Sequence, residues 1–240
     1  MKKSVFAMLL ICALLLTACG SRPSEREDVG GRIEAPTATE APAATEAPAA
    51  EERPISLGRV EGGSYINEYA GFGCDLDESW VFYSAEELQE MPALAKEATA
   101  GSELGDALDP LNQFTDVMAE NADMLVSFNV LYQKLSMEER LANALLTEEQ
   151  MIDGVLGMKD QMIAAYAQAG ILVDTMEKVT VNFAGETRTA VRTTSTIEGM
   201  PYITLQIFSH KLGSHNVTLT LSSYVEDSTM EMLDLFYSVK

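Results

Sequence analysis

The chain has 240 residues and a formal net charge of −21, from 16 basic and 37 acidic side chains. A surface of that sign repels phosphate backbones and anionic lipid head groups, which argues against nucleic acid as a partner. It leaves room for a cation, a basic protein surface or a cationic wall component.

The first element is a leader. Residues 1–20 read MKKSVFAMLLICALLLTACG, with Lys2 and Lys3 as a basic start and an apolar run from Val5 to Leu16. That run is short for a membrane span and has the proportions of a signal peptide. Leu16-Thr17-Ala18-Cys19 resembles the lipobox of bacterial lipoproteins, which implies removal of residues 1–18 and a diacylglycerol on the Cys19 sulfur. The expected location is therefore the extracytoplasmic face of a cell membrane, anchored through Cys19, in an envelope of the Gram-positive type. Acyl chains hold a membrane by about 0.8 kcal/mol per buried methylene. With Cys12 discarded and Cys19 lipidated, Cys74 is left without an intramolecular disulfide partner.

Residues 19–54 are rich in Ala, Pro, Thr and Glu and hold a repeat, Thr39-Glu40-Ala41-Pro42-Ala43-Ala44 followed by Thr45-Glu46-Ala47-Pro48-Ala49-Ala50. Such a composition buries too little surface to offset chain entropy, and its prolines favour extended polyproline-II segments. It reads as a disordered stalk. From Ile55 to Lys240 the composition is that of one globular domain.

Within that domain, residues 65–80, YINEYAGFGCDLDESW, read as an opening hairpin. Ser84-Ala85-Glu86-Glu87 fits a capping box and predicts a helix start, and Asp109-Pro110 suggests another. Residues 95–122 are long and weakly patterned, so they are expected to form loops that carry partner contacts. DMLVSFNVLY, residues 123–132, reads as a strand. Thr147-Glu148-Glu149-Gln150 opens the longest predicted helix, with Ile152, Val155, Met162, Ile163 and Tyr166 on its apolar face and Gly170 as its stop. Alternation then predicts a meander. One strand ends at Phe183, a turn follows at Ala184-Gly185-Glu186, and a second strand runs from Thr187 to Ile197. The turn Glu198-Gly199 leads to strands around Leu205 and Leu219, joined at Gly213. Ser228-Thr229-Met230-Glu231 predicts a final helix with Met230, Leu233 and Tyr237 on one stripe. Short turns between consecutive strands mean a largely antiparallel sheet, with amphipathic helices covering its faces, hence an α+β class.

Tyr65-Ile66-Asn67-Glu68-Tyr69, then Gly71-Phe72-Gly73, Trp80 and the capping box at Ser84 resemble the opening of PsbP-like domains, the family that includes PsbP, Mog-type and DcrB-like proteins. Phe183-Ala184-Gly185-Glu186 and the stretch from Asp227 to Tyr237 resemble the bacterial lipoprotein members. One departure is Asp77-Glu78-Ser79-Trp80, where the family has Pro-x-Gly-Trp. The resemblance implies an α/β/α sandwich around an antiparallel sheet, partner binding without catalysis, and no shared site on named residues.

The chemistry-bearing residues point the same way. In a strand, Phe72, Cys74 and Leu76 share one face and Asp75 and Asp77 the other, so Cys74 is expected to be a buried thiol with a raised pKa. Asp75, Asp77 and Glu78 do not have the spacing of a calcium loop and read as a solvated turn. His210 and His215 flank the turn at Gly213 and are the candidate metal ligands, although strand parity puts them on opposite faces. There is no G-x-S-x-G, S-x-x-K or H-E-x-x-H, no P-loop and no dinucleotide-binding glycine pattern. The expectations are therefore a non-enzymatic binding or scaffold module without a cofactor, with an envelope or extracellular protein as its partner. The alternatives are a small-molecule or cation receptor and an envelope hydrolase.

Overall fold

The computed structural model describes residues 55–98, 112–121, 123–209 and 213–239. Residues 1–54, the helix start at Asp109-Pro110 and His210 lie outside the described residues.

In chain order the elements are β1 (Arg59–Glu61), β2 (Ser64–Asn67), β3 (Phe72–Asp75), β4 (Val81–Phe82), α1 (Ala85–Ala98), β5 (Gln113–Asn121), β6 (Val126–Lys134), α2 (Met137–Leu145), α3 (Glu148–Gly157) and α4 (Lys159–Gln168). Then come β7 (Ile171–Phe183), β8 (Glu186–Ile197), β9 (Met200–Ser209), β10 (His215–Tyr224), the single-turn α5 (Thr229–Met232), a 3-10 turn (Leu233–Leu235) and β11 (Phe236–Ser238). Seven strands form one antiparallel sheet in the order β4-β5-β6-β10-β9-β8-β7, and four form a second in the order β1-β2-β3-β11. The class is α+β, as the alternation and capping patterns predict.

The meander forms because its turn residues accept left-handed backbone. Ala184 and Gly185 take φ 50° and 82°, and Glu198 and Gly199 take 52° and 83°. Positive φ at both central residues matches the twist of two-residue hairpins. Alternation along the strands then divides the core. Leu205, Ile207, Val217, Leu219 and Leu221 point to one face, against Phe72, Cys74 and Phe236 of the small sheet. Leu131, Val191, Tyr202 and Phe208 point to the other, against Met91, Ile152, Met162 and Tyr166 of the helices. The layers are thus helices, large sheet, small sheet, with the 229–235 turns completing the side that the small sheet covers.

Several elements differ from the sequence expectation. The long helix is two helices meeting at Met158, whose N–H turns back to the carbonyl of Val155 at 3.0 Å. Gly154 and Gly157 lower the helix propensity just before that break. Residues 113–121 are a strand paired with β6 rather than loop. Alternation fails there because Asp116 is the extra residue of a β-bulge, where the register shifts between Thr115 and Val117. Residues 85–98 are helix, so the helix and β5 together take both ends of the stretch expected to carry partner loops. At the C-terminus, Ser228 makes no capping hydrogen bond. Asp227 Oδ1 accepts from Thr229 N–H at 3.1 Å and from its hydroxyl at 2.7 Å. The helix stops after one turn and Phe236 to Ser238 pair with Cys74 to Phe72. Met230 is exposed while Met232, Leu233 and Phe236 are buried.

Candidate functional site

The opening motif folds into a hydrogen-bonded knot between the two sheets. Tyr65 and Asn67 on β2 are both fully buried. Asn67 Nδ2 lies 2.8 Å from Tyr65 Oη, 2.7 Å from Tyr132 Oη and 2.9 Å from Asp116 Oδ2, while its Oδ1 accepts from Ala70 N–H at 2.7 Å. Tyr65 donates to Asp116 Oδ2 at 2.6 Å, and Gly58 N–H donates to both carboxylate oxygens at 3.1 and 2.9 Å. The bulge in β5 aims Asp116 at this cluster, and no basic side chain joins it in a salt bridge among the described residues. Burial raises the Asp116 carboxyl above its ordinary value, against the lowering pull of its hydrogen bonds. Burial likewise raises Tyr65 and Tyr132. Tyr132 stacks on Phe114, ring centroids 5.0 Å apart, and on Tyr69 at 5.9 Å. The arrangement fastens the small sheet to the large one. Asp116 is the member that sequence reasoning missed.

Cys74 is fully buried, with Phe72 and Leu76 in the same core cluster. Burial pushes its thiol up to about 12, so it is protonated and unreactive at neutral pH. Asp75 accepts from the Ser64 hydroxyl at 2.6 Å. Asp77 accepts from Ser79 N–H at 2.9 Å and from its hydroxyl, bonds that hold the Asp77 carboxyl below its ordinary value. Ser79 in turn accepts from Asn121 Nδ2 at 2.7 Å. The acidic stretch is an Asx-type turn pinned to β5. His215 sits edge-on to Phe114 and Tyr132, with Ser214 Oγ 2.9 Å from its Nδ1. Burial lowers its pKa, helped by Lys134 and Arg140, which favours the neutral ring. No group of three or more His, Cys, Asp or Glu side chains that could hold a metal occurs among the described residues.

An exposed helix at the far end of β6 is the surface feature with the clearest binding character. Helix α2 is capped at its start by a reciprocal box. Ser136 N–H donates to Glu139 Oε2 at 2.7 Å and Glu139 N–H to Ser136 Oγ at 3.3 Å. None of its residues is buried. Met137, Leu141 and Leu145, spaced four apart on one stripe, are 65%, 64% and 86% exposed. The polar Glu139, Arg140 and Asn143 are the more covered residues, and Asn143 Nδ2 donates to Asn216 Oδ1 at 3.1 Å. The usual amphipathic arrangement is reversed, with the apolar side outward. Two sequence signals mark this helix: the Ser136-Met137-Glu138-Glu139 box and the four-residue stripe.

No family model and no curated protein matches the chain. Solved structures similar to it include the solution structure of cyanobacterial PsbP (CyanoP) from Synechocystis sp. PCC 6803. That match has 12% identity and a TM-score of 0.41, and covers 77% of this chain and 94% of that one. A crystal structure from Bacteroides thetaiotaomicron VPI-5482 is similar at 11% identity and a TM-score of 0.33, covering 75% of this chain and 50% of that one. The first belongs to the family that the opening motif resembles.

Proposed function

We propose that this chain is a non-enzymatic binding module, held at the extracytoplasmic membrane face through Cys19, which docks a protein partner on α2. The observation that carries the proposal is the outward apolar stripe Met137-Leu141-Leu145. A nine-residue helix is marginal in water unless its apolar side is buried, and a stripe spaced four apart suits insertion into a groove. A second copy of the chain is a poor occupant. Two chains of charge −21 repel. Charge complementarity favours a partner whose apolar groove is flanked by basic side chains.

The test is capture from envelope membranes at two salt concentrations, with three forms of the full-length chain. The native form is expected to sediment with membranes and to retain a partner more weakly at high salt. Leu141→Gln is expected to keep its melting temperature, because exposed substitutions stay within about 0.5 kcal/mol, and to lose the partner at least tenfold. Cys19→Ala is expected in the soluble fraction. Unchanged capture by Leu141→Gln removes the docking assignment, and continued sedimentation of Cys19→Ala removes the anchor.

A further inference from the structure

A methionine oxidises at sulfur when an oxidant reaches it, so burial sorts the methionines of the chain. Met91, Met118, Met162, Met176 and Met232 are at most 3% exposed and belong to the two core clusters. Met151 and Met158 pack against the helix-side cluster. Among the described residues, Met137, Met124, Met230 and Met200 are the exposed methionines, at 65%, 54%, 46% and 41%. Cys74, the type of group that oxidants attack first, is fully buried and keeps its proton. Peroxide chemistry on the described residues therefore falls on thioethers, and Met137 is the most open of them.

Met137 also differs from the other three by its place. It is the first residue of α2 and begins the outward stripe that Leu141 and Leu145 continue. Met124 lies in the β5–β6 turn, Met200 starts β9 and Met230 is in α5. The Met137 side chain takes no part in holding α2. The cap uses Ser136 and Glu139, and the bond to the sheet runs from Asn143 to Asn216. No residue of α2 is buried, so an oxygen added at Met137 leaves both core clusters intact. The same oxygen on a core methionine would force a polar group into packed apolar surface.

The chemistry is that of a thioether and a peroxide. The sulfur attacks one peroxide oxygen, and the S–O bond forms as the O–O bond breaks. Sulfur gives up an electron pair and the peroxide is reduced; with hydrogen peroxide, the other oxygen leaves as water. The sulfoxide is polar where the thioether was apolar. Its oxygen accepts hydrogen bonds that an apolar groove does not supply, so docking it there leaves a buried acceptor unpaired. We propose that Met137 is an oxidation site whose sulfoxide releases the partner from α2, so that peroxide lowers docking without unfolding the domain. This regulation rests on α2 being the docking element.

The test exposes the purified full-length chain in detergent to graded hydrogen peroxide, removes the peroxide and divides each sample. Peptide mass spectrometry reads which methionine has gained oxygen, thermal melting reads the fold, and capture from solubilised envelope membranes reads docking. Met137 is expected to oxidise ahead of Met124, Met200 and Met230, with the melting temperature unchanged and capture reduced at least tenfold. Met137→Leu has no sulfur to oxidise at this place, and whatever its starting level its capture is expected to be the same before and after peroxide. Met124→Leu is expected to stay as sensitive as the native chain. Methionine sulfoxide reductases with a dithiol are expected to restore capture by the oxidised native chain, a readout that stands should Met137→Leu dock poorly. Untreated native chain that captures no partner removes the docking assignment itself. Capture that is present before peroxide and unchanged once Met137 is oxidised overturns the switch alone. Slower oxidation of Met137 than of the other exposed methionines, an equal loss in Met137→Leu, or capture that stays lost after Met137 is reduced does so too.

Discussion

Asn67 and Asp116 show how one amide and one carboxylate join two sheets. Asn67 was visible in the sequence as part of Tyr65-Ile66-Asn67-Glu68-Tyr69, although its role as the hub of the knot, two N–H groups among three oxygens, needed the partners' positions. Asp116 was invisible, because a bulge interrupts the alternation that would mark β5. Its titration gives a signed prediction. Burial raises the folded-state pKa above the unfolded value, so the native state holds its proton to higher pH than the unfolded chain. The contribution of this group to stability is therefore fully present below the unfolded value, about 3.9, and declines as pH rises through the folded one. Asp116→Asn cannot titrate. The stability gap between the native chain and this variant is expected to be widest at acid pH and to narrow toward neutrality. Urea denaturation across that range checks it, and a gap that widens with pH contradicts the burial argument.

The elements were legible where a local signal met no competitor. The capping boxes at Ser84 and Thr147 both form. The one read at Ser228 does not, and the Ser228 N–H that such a box would use donates instead to Ser223 Oγ at 3.2 Å. The meander was readable from alternation and from turn residues that accept positive φ. The C-terminal strand was not, because its three residues gain their form from pairing with β3, which is distant in sequence. Phe236 is the anchor of that pairing, edge-on to Phe72 at 6.0 Å and to Phe128 at 5.3 Å. Phe236→Ala is expected to destabilise the domain by about 3–5 kcal/mol, measured by thermal or urea unfolding. A loss below about 1 kcal/mol would mean that the C-terminal strand is not packed as described.

At the scale of the molecule, chemistry and contact lie in different places. The thiol, the acidic turn and His215, the first residues a sequence reading suspects, are buried, self-satisfied or packed against aromatic rings. The outward apolar helix stands at one end of β6 and the exposed Val225 is beside the other, at the β10 end whose Tyr224 N–H bonds to Leu125 O at 3.0 Å. β6 has nine residues, so the two surfaces are about 30 Å apart. That separation permits a direct experiment. A photo-crosslinking residue is placed at position 141 or at position 225 of the full-length chain in intact cells, and adducts are compared after irradiation. Docking on α2 predicts one discrete protein adduct from position 141 and none from 225. No adduct from 141, or the same adduct from both positions, contradicts it.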